Sequence, residues 1–179
     1  ETAFLRGNCY DNLGQYRQAI ADYDETIRRN PGADGAFANR ASVYFKLGQY
    51  ARAMEDYNEA LRLVPGNAIT LVNRAGCYVA LGEHQRAIAD CDEALRINPN
   101  LEDGYVNRGA AFHCLGQYQR ALEDFDHALA LNPNEYFSPQ CHMEIASLVQ
   151  GKDPARAKKA YDTAANIFVG MIESPLLIR

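Results

Sequence analysis

Apolar residues recur at helical spacing in segments of about a dozen residues, and glycine or proline separates each segment from the next. Phe37, Ala41, Tyr44 and Leu47 fall on one face of a helix, and the segment contains no proline. The stretch 50–63 repeats this amphipathic pattern directly afterwards. The pattern therefore predicts short helices that follow one another in pairs.

The boundaries between these helices recur with a fixed period of 34 residues. A glycine at the end of a helix takes the left-handed conformation without a Cβ clash, and the residue before a proline is pushed out of the helical region. Each period is therefore predicted to be a helical hairpin closed by a tight turn. Three residue types keep the interval: Gly14, Gly48, Gly82 and Gly116; Ala19, Ala53, Ala87 and Ala121; Pro31, Pro65, Pro99 and Pro133.

These markers resemble the tetratricopeptide repeat, a 34-residue pattern with aromatic, small and proline residues at fixed places. The second unit carries the pattern as Phe37, Arg40, Ala41, Tyr44, Ala53, Tyr57 and Pro65. Three features depart from it: there is no tryptophan, arginine stands where leucine is usual, and Cys91 replaces an aromatic residue. The resemblance implies an all-α, right-handed α-solenoid that binds a peptide or a partner helix along a concave groove lined by the first helix of each hairpin.

Four clear units are predicted at 1–33, 34–67, 68–101 and 102–135, with a degenerate capping unit at 136–173, giving ten helices in a single array over 1–179. Asp153 followed by Pro154 is a favourable helix start. The tail 174–179 carries Leu176, Leu177 and Ile178, which either fold back over the last hairpin or contact another molecule. The absence of an initial methionine leaves open that the chain is part of a longer protein.

Composition excludes several functions. The net charge of −5 argues against nucleic acid as a partner, and no apolar run reaches the length of a membrane span. Five cysteines without a Cys-x-x-Cys pair indicate a reducing compartment, which makes the cytoplasm the default location. The four histidines show no metal-ligand spacing, and no phosphate loop or nucleophile motif is present. We therefore expect neither an enzyme nor a metal or cofactor site.

The candidate groove is predicted to be close to neutral because the first helices contain few charges, whereas the second helices carry most of them. It would suit a neutral or partly apolar peptide, although small residues there can equally serve helix packing. The asparagines can hydrogen-bond a ligand backbone, with local bonding as the alternative. The candidate lining residues are Asn8, Asn39, Ser42, Phe45, Val72, Asn73, Val79, Val106, Asn107 and His113. Cationic residues are missing from the positions at which chaperone-tail clamps of the family carry them.

The arginine next to each groove asparagine occupies an apolar packing position and therefore needs a partner. Acidic residues with the same interval supply one, so we predict a structural ladder of ion pairs rather than an anion site. Its members are Arg6, Arg40, Arg74 and Arg108 with Asp22, Asp56, Asp90 and Asp124. Two functional alternatives to peptide binding stay open: a self-assembling scaffold, and the regulatory array of an enzyme whose catalytic domain lies elsewhere.

Overall fold

The computed structural model describes residues 2–131 and, beyond them, residues 147, 151, 153, 155 and 156. The continuous described part forms four helical hairpins, in which each helix packs against the one that follows it in the pair. The eight helices are α1 (Thr2–Asn12), α2 (Tyr16–Arg29), α3 (Asp34–Lys46), α4 (Tyr50–Leu63), α5 (Ala68–Ala80), α6 (His84–Ile97), α7 (Glu102–Cys114) and α8 (Tyr118–Leu131). The all-α class predicted from the sequence is confirmed.

The glycine in each hairpin turn ends the first helix as predicted. Gly48 has a φ of 71°, in the left-handed region that a side chain disfavours. Its N–H donates to the carbonyl of Phe45 at 2.9 Å, and the N–H of Gln49 donates to the carbonyl of Tyr44 at 2.8 Å. This pair of bonds is the Schellman arrangement, which satisfies carbonyls at the helix end. Helix α4 ends before Pro65, where Val64 has left the helical region with φ −131° and ψ 82°.

Small and aromatic residues alternate in the hairpin cores. The alanines that recur every 34 residues have no exposed surface, and Tyr23, Tyr57 and Phe125 fill the space beside them. At the crossing of α7 and α8 even a methyl group is too large, because a Cβ added to Gly109 would lie 2.8 Å from Cε1 of Phe125. The close approach of the helices therefore depends on small residues at fixed places.

The chain divides into two compact units, which we call unit 1 (residues 1–99) and unit 2 (residues 100–179) and which each contain more than one 34-residue repeat. Unit 1 contains α1 to α6, and within it α2 packs on α3 and α4 packs on α5, so successive hairpins are stacked. In unit 2 the structure describes α7 and α8. The capping contact predicted at the start of the second helix of the degenerate repeat is present, since the backbone N–H of Arg156 donates to Oδ1 of Asp153 at 2.9 Å. The rest of the degenerate unit and the tail 174–179 lie outside the described residues.

Candidate peptide-binding surface and the arginine ladder

The first helices of unit 1 touch one another directly along one side. Nδ2 of Asn39 in α3 donates to Oδ1 of Asn8 in α1 at 2.9 Å. Nearer the ends of the same helices, Nζ of Lys46 donates to both carboxylate oxygens of Asp11 at 2.8 and 2.9 Å. This pair neutralises two charges on the surface of the first helices. The exposed side of helices α1, α3 and α5, which we call the first-helix surface, is the candidate binding surface of unit 1.

The asparagines of this surface differ in what they already bind. Oδ1 of Asn8 accepts from Asn39 and also from the hydroxyl of Tyr23 at 2.9 Å, so Asn8 is held inside the structure. Asn73 is partly buried, yet no described residue hydrogen-bonds its side-chain amide. A partly buried amide without an internal partner retains both a donor and an acceptor for a ligand. Among the predicted groove asparagines of unit 1, Asn73 is therefore the best placed to bind one.

The remaining predicted residues of unit 1 divide between surface and core. Phe45 is exposed, and its ring lies 5.5 Å from that of Tyr50, while Val79 is partly buried. Ser42 is partly buried. Val72 departs from the expectation, because at 3% exposure its side chain belongs to the core and lines no accessible groove.

Ile69, at 63% exposure on α5, is an exposed apolar side chain that the candidate lining residues did not include. Gly35 and Asp103 stand at the same place in the neighbouring units, so the repeat pattern gave no sign of an apolar contact there.

Unit 2 contains the other three predicted surface residues, all on α7. Val106, Asn107 and His113 are partly buried. The ring of His113 lies 5.7 Å from the ring of Tyr118 at the start of α8, which fixes its place at the end of the hairpin. Asn107 stands in the same repeat position as Asn39 and Asn73, but it belongs to unit 2.

Each arginine of the ladder binds the aspartate sixteen residues later with two parallel hydrogen bonds. Arg74 donates from Nε and Nη2 to the carboxylate of Asp90 at 2.7 and 2.8 Å. The other three pairs, Arg6 with Asp22, Arg40 with Asp56 and Arg108 with Asp124, have the same geometry at 2.7–2.8 Å. Bidentate pairs of this kind are strong and directional.

The ion pairs of the ladder favour the charged forms of Arg40, Arg74 and Asp22. Hydrogen bonding to Asp56 raises the pKa of Arg40, and hydrogen bonding to Asp90 raises that of Arg74. Arg6 in turn lowers the pKa of Asp22. Because these guanidinium groups are already bound to carboxylates within the protein, they offer little to an anionic ligand.

A second arginine series was missed by the sequence analysis. The guanidinium carbon lies over an aromatic ring of the preceding helix in three hairpins: Arg52 over Tyr44 at 5.6 Å, Arg86 over Tyr78 at 4.4 Å and Arg120 over Phe112 at 3.9 Å. These are cation–π contacts between the two helices of a hairpin. The signal was available, since an arginine follows the aromatic residue by eight positions in each of the three units.

The described residues contain little that resembles a catalytic site. Within them, no three His, Cys, Asp or Glu side chains are grouped closely enough to hold a metal ion. Cys9, Cys77, Cys91 and Cys114 are free thiols, and burial raises the pKa of Cys77 to about 12, which keeps this thiol protonated and unreactive. In the part of the chain that the structure describes, no helix is long and apolar enough to cross a membrane.

Stacked helical hairpins with a 34-residue period define the class of helical-repeat proteins. The sequence profile of the tetratricopeptide repeat family matches residues 4–68, 40–102 and 102–135. The chain belongs to this family, whose members are generally non-catalytic scaffolds for protein–protein interaction. No curated protein sequence matches the chain significantly.

Solved structures with the same fold share little sequence with the chain. TTC0263, a thermophilic tetratricopeptide protein of Thermus thermophilus, has a TM-score of 0.79 and 21% identity, over 97% of this chain and 92% of that one. A MamA crystal structure has a TM-score of 0.76 and 18% identity, over 94% and 97%. YrrB, described as having an unusual peptide-binding site, has a TM-score of 0.69 and 19% identity, over 92% and 84%. At these identities the similarity establishes the fold alone.

Proposed function

We propose that the chain is a non-catalytic scaffold that binds an extended peptide segment of a partner protein along the first-helix surface. The observation that carries the proposal is the side-chain amide of Asn73, which is partly buried but hydrogen-bonded to no described residue. An amide in this state can pair with a peptide group of a ligand and so recognise backbone rather than sequence. Asn107 stands in the same repeat position in unit 2, and its role in binding stays a prediction of the repeat pattern.

The chemistry around Asn73 favours a neutral or partly apolar ligand. Ile69 and Phe45 are exposed on the same set of first helices, and Lys46 and Asp11 neutralise each other. A ligand bound in this way would gain little from long-range attraction between charges. Its affinity should therefore change little with ionic strength, in contrast to that of a polyanion.

The test is replacement of Asn39 and Asn73 by alanine, followed by affinity capture and titration of the most enriched partner. Each lost hydrogen bond to a ligand backbone is worth on the order of 1 kcal/mol, so the double variant should bind roughly thirtyfold more weakly. An affinity within about twofold of the parent protein would show that the partner uses another surface.

Asn73→Ala by itself separates binding from folding. Because Asn73 has no internal partner among the described residues, this variant should lose affinity without losing stability, whereas Asn39→Ala also removes the hydrogen bond to Asn8. A matched control replaces two exposed acids of the second helices of unit 1, Glu55 and Glu93, by alanine. The control should retain full affinity. If it does not, the partner binds the second helices.

The cytoplasmic location also remains a proposal. It is supported by the four free thiols of the described residues, which a reducing compartment would keep in that state.

A further inference from the structure

One side of α5 is accessible on the first-helix surface and carries no charge. Four residues spaced i, i+4, i+7 and i+11 form a narrow row along this helix, and all four are exposed or partly buried. We call this row the α5 strip, and its members are Ile69, Asn73, Gly76 and Ala80. Residues on the opposite side of the helix, including Leu71, Ala75 and Tyr78, are in the core. The strip is therefore the side of α5 that a ligand can reach.

The one charged residue of α5 is already bound. Arg74 pairs with Asp90, and its Nη1 donates to Oδ1 of Asn58 on the preceding second helix at 2.9 Å. Nη1 of Arg40 donates in the same way to Asp24. A charged ligand on the α5 strip would lose water without gaining an opposite charge from this helix. The strip therefore favours an uncharged ligand.

The side-chain amide of Asn73 favours an extended ligand over a helical one. It offers a donor and an acceptor, which match the carbonyl and the N–H that one residue of an extended chain points to the same side. Inside a helix these backbone groups are bonded to the helix itself. On α3 the equivalent amide of Asn39 already donates to Asn8, so α5 is the better placed of the two helices to bind a ligand backbone.

Gly76 differs in size from the residues at its place in the other repeats. These are Asn8, Ser42 and Ala110, so the hairpin fold accommodates a side chain there. A glycine inside a helix is less favourable than alanine, but it allows another backbone to approach closely. Gly76 lies about 4.5 Å along the helix from Asn73. Without a side chain at this point, a ligand backbone can come close enough for the short amide of Asn73 to bond it.

The spacing of the strip indicates where an apolar side chain of the ligand falls. Ile69 is 63% exposed and lies one turn from Asn73, about 6 Å along the helix axis. Two residues of an extended chain span about 6.6 Å. The residue two positions from the one bound to Asn73 is therefore level with Ile69, and a large apolar side chain there would bury the exposed isoleucine. The whole strip, about 16.5 Å long, matches about five extended residues.

We propose that the α5 strip selects an extended, uncharged peptide segment of about five residues that carries a large apolar side chain two positions from the residue bound to Asn73. Gly76 determines this specificity by admitting the ligand backbone, and Ile69 determines it by contacting the apolar side chain. The inference rests on the proposed function, because it specifies the ligand of the first-helix surface.

The probe for the test is a phage-displayed library of random dodecapeptides, selected on the intact protein. The most enriched peptide is then synthesised with a fluorescent label, and its affinity is measured by fluorescence anisotropy. Enriched sequences should share one large apolar position flanked by uncharged residues. Methylation of single backbone nitrogens of the peptide should weaken binding most, at least about tenfold, two residues from that apolar position, because it removes the N–H that Asn73 accepts.

Two protein variants test the assigned specificity. Gly76→Ala should weaken binding at least about tenfold but leave the melting temperature unchanged or higher, because alanine favours the helix. A role of Gly76 in helix packing alone predicts a lower melting temperature instead. Ile69→Asp places a charge in the apolar contact and should weaken binding to a similar extent. The control is Ala89→Ser, at an exposed position of α6, which should retain full affinity.

Failure of this inference can be distinguished from failure of the proposed function. If Asn73→Ala weakens binding of the enriched peptide but Gly76→Ala and Ile69→Asp do not, the first-helix surface binds peptides and the assigned specificity is wrong. Enrichment of charged peptides, or a lower melting temperature of Gly76→Ala, would overturn the inference in the same way. If no peptide is enriched, or if Asn73→Ala leaves its affinity unchanged, the proposed function fails as well.

Discussion

Removal of Arg74 tests whether the arginine ladder stabilises the stacked hairpins. Arg74→Ala deletes three hydrogen bonds, two to Asp90 on its own hairpin and one to Asn58 on the preceding one. The carboxylate of Asp90, which is only 8% exposed, would then lose its bidentate partner. Loss of one member of a buried ion pair costs about 3–5 kcal/mol. Since the arginine side chain is 19% exposed, water can replace part of the lost interaction, and we expect about 2–4 kcal/mol.

Arg6→Ala is the matched control. Arg6 makes the same bidentate pair but is 60% exposed and lacks the third hydrogen bond. Exposed ion pairs contribute little to stability, so we expect a clearly smaller loss than that of Arg74→Ala. A further variant, Arg74→Leu with Asp90→Leu, removes both charges and should be nearly neutral, because apolar residues of similar size can replace a buried pair. This variant separates the net contribution of the ion pair to the free energy of unfolding from the cost of burying a carboxylate without its partner.

The assay is urea unfolding followed by far-UV circular dichroism and by tyrosine fluorescence, the chain having no tryptophan. Two probes are needed because repeat arrays can unfold in parts, and coincident curves are the condition for one free energy of unfolding. A loss below about 0.5 kcal/mol for Arg74→Ala would show that the arginine is effectively solvated. A loss no larger than that of Arg6→Ala would refute the role assigned to burial and to the contact with Asn58.

Other predictions concern packing and pH. Gly109→Ala should destabilise the protein by about 1 kcal/mol in thermal unfolding, although alanine favours helices, because the new Cβ would lie 2.8 Å from the buried ring of Phe125; a raised melting temperature would contradict this. Asp22 has a lowered pKa owing to Arg6, so its contribution to stability is present above pH ~4 and is lost as the pH falls through the folded pKa; Asp22→Asn should reduce the acid sensitivity of the midpoint in urea. Burial raises the pKa of Tyr23 from 10.0 to about 12, so its contribution to the free energy of unfolding is complete below pH 10 and is lost between pH 10 and 12. Tyr23→Phe should therefore reduce the fall in stability between pH 10 and 12. An unchanged fall would assign it to other groups.

The sequence predicted the elements of the fold well because glycine and proline act locally. Helix α4 spans Tyr50–Leu63, the range the pattern predicted, since Gly48 and Pro65 fix its two ends through backbone conformation alone. The pairing of Arg74 with Asp90 could also be anticipated, because both residue types recur with the repeat period. A pair of residue types that recurs at the same positions in four repeats indicates a shared contact, which a single repeat would not reveal.

The candidate surface was harder to predict because exposure is decided by neighbouring hairpins. Val72 directly precedes Asn73, yet its side chain is in the core, since the first helix of an internal unit packs both on its own second helix and on the preceding hairpin. The hydrogen bonds that hold Asn8 to Tyr23 and Asn39 depend likewise on distances between hairpins. The second partners of the arginines were not anticipated because their types differ, with Asp24 in one unit and Asn58 in the next.

The repeated Asn-Arg dipeptide connects the stability of the array to its candidate surface. Adjacent helical residues point about 100° apart, so Arg74 can lie between hairpins while Asn73 remains accessible on the first helix. The arginine ties α5 to α6 through Asp90 and to α4 through Asn58, so it fixes α5 against two helices at once. A first helix fixed in this way presents Asn73 in one orientation before any ligand arrives, and less ordering is then required on binding. A loosened ladder should therefore weaken peptide binding even though the arginine itself contacts no ligand.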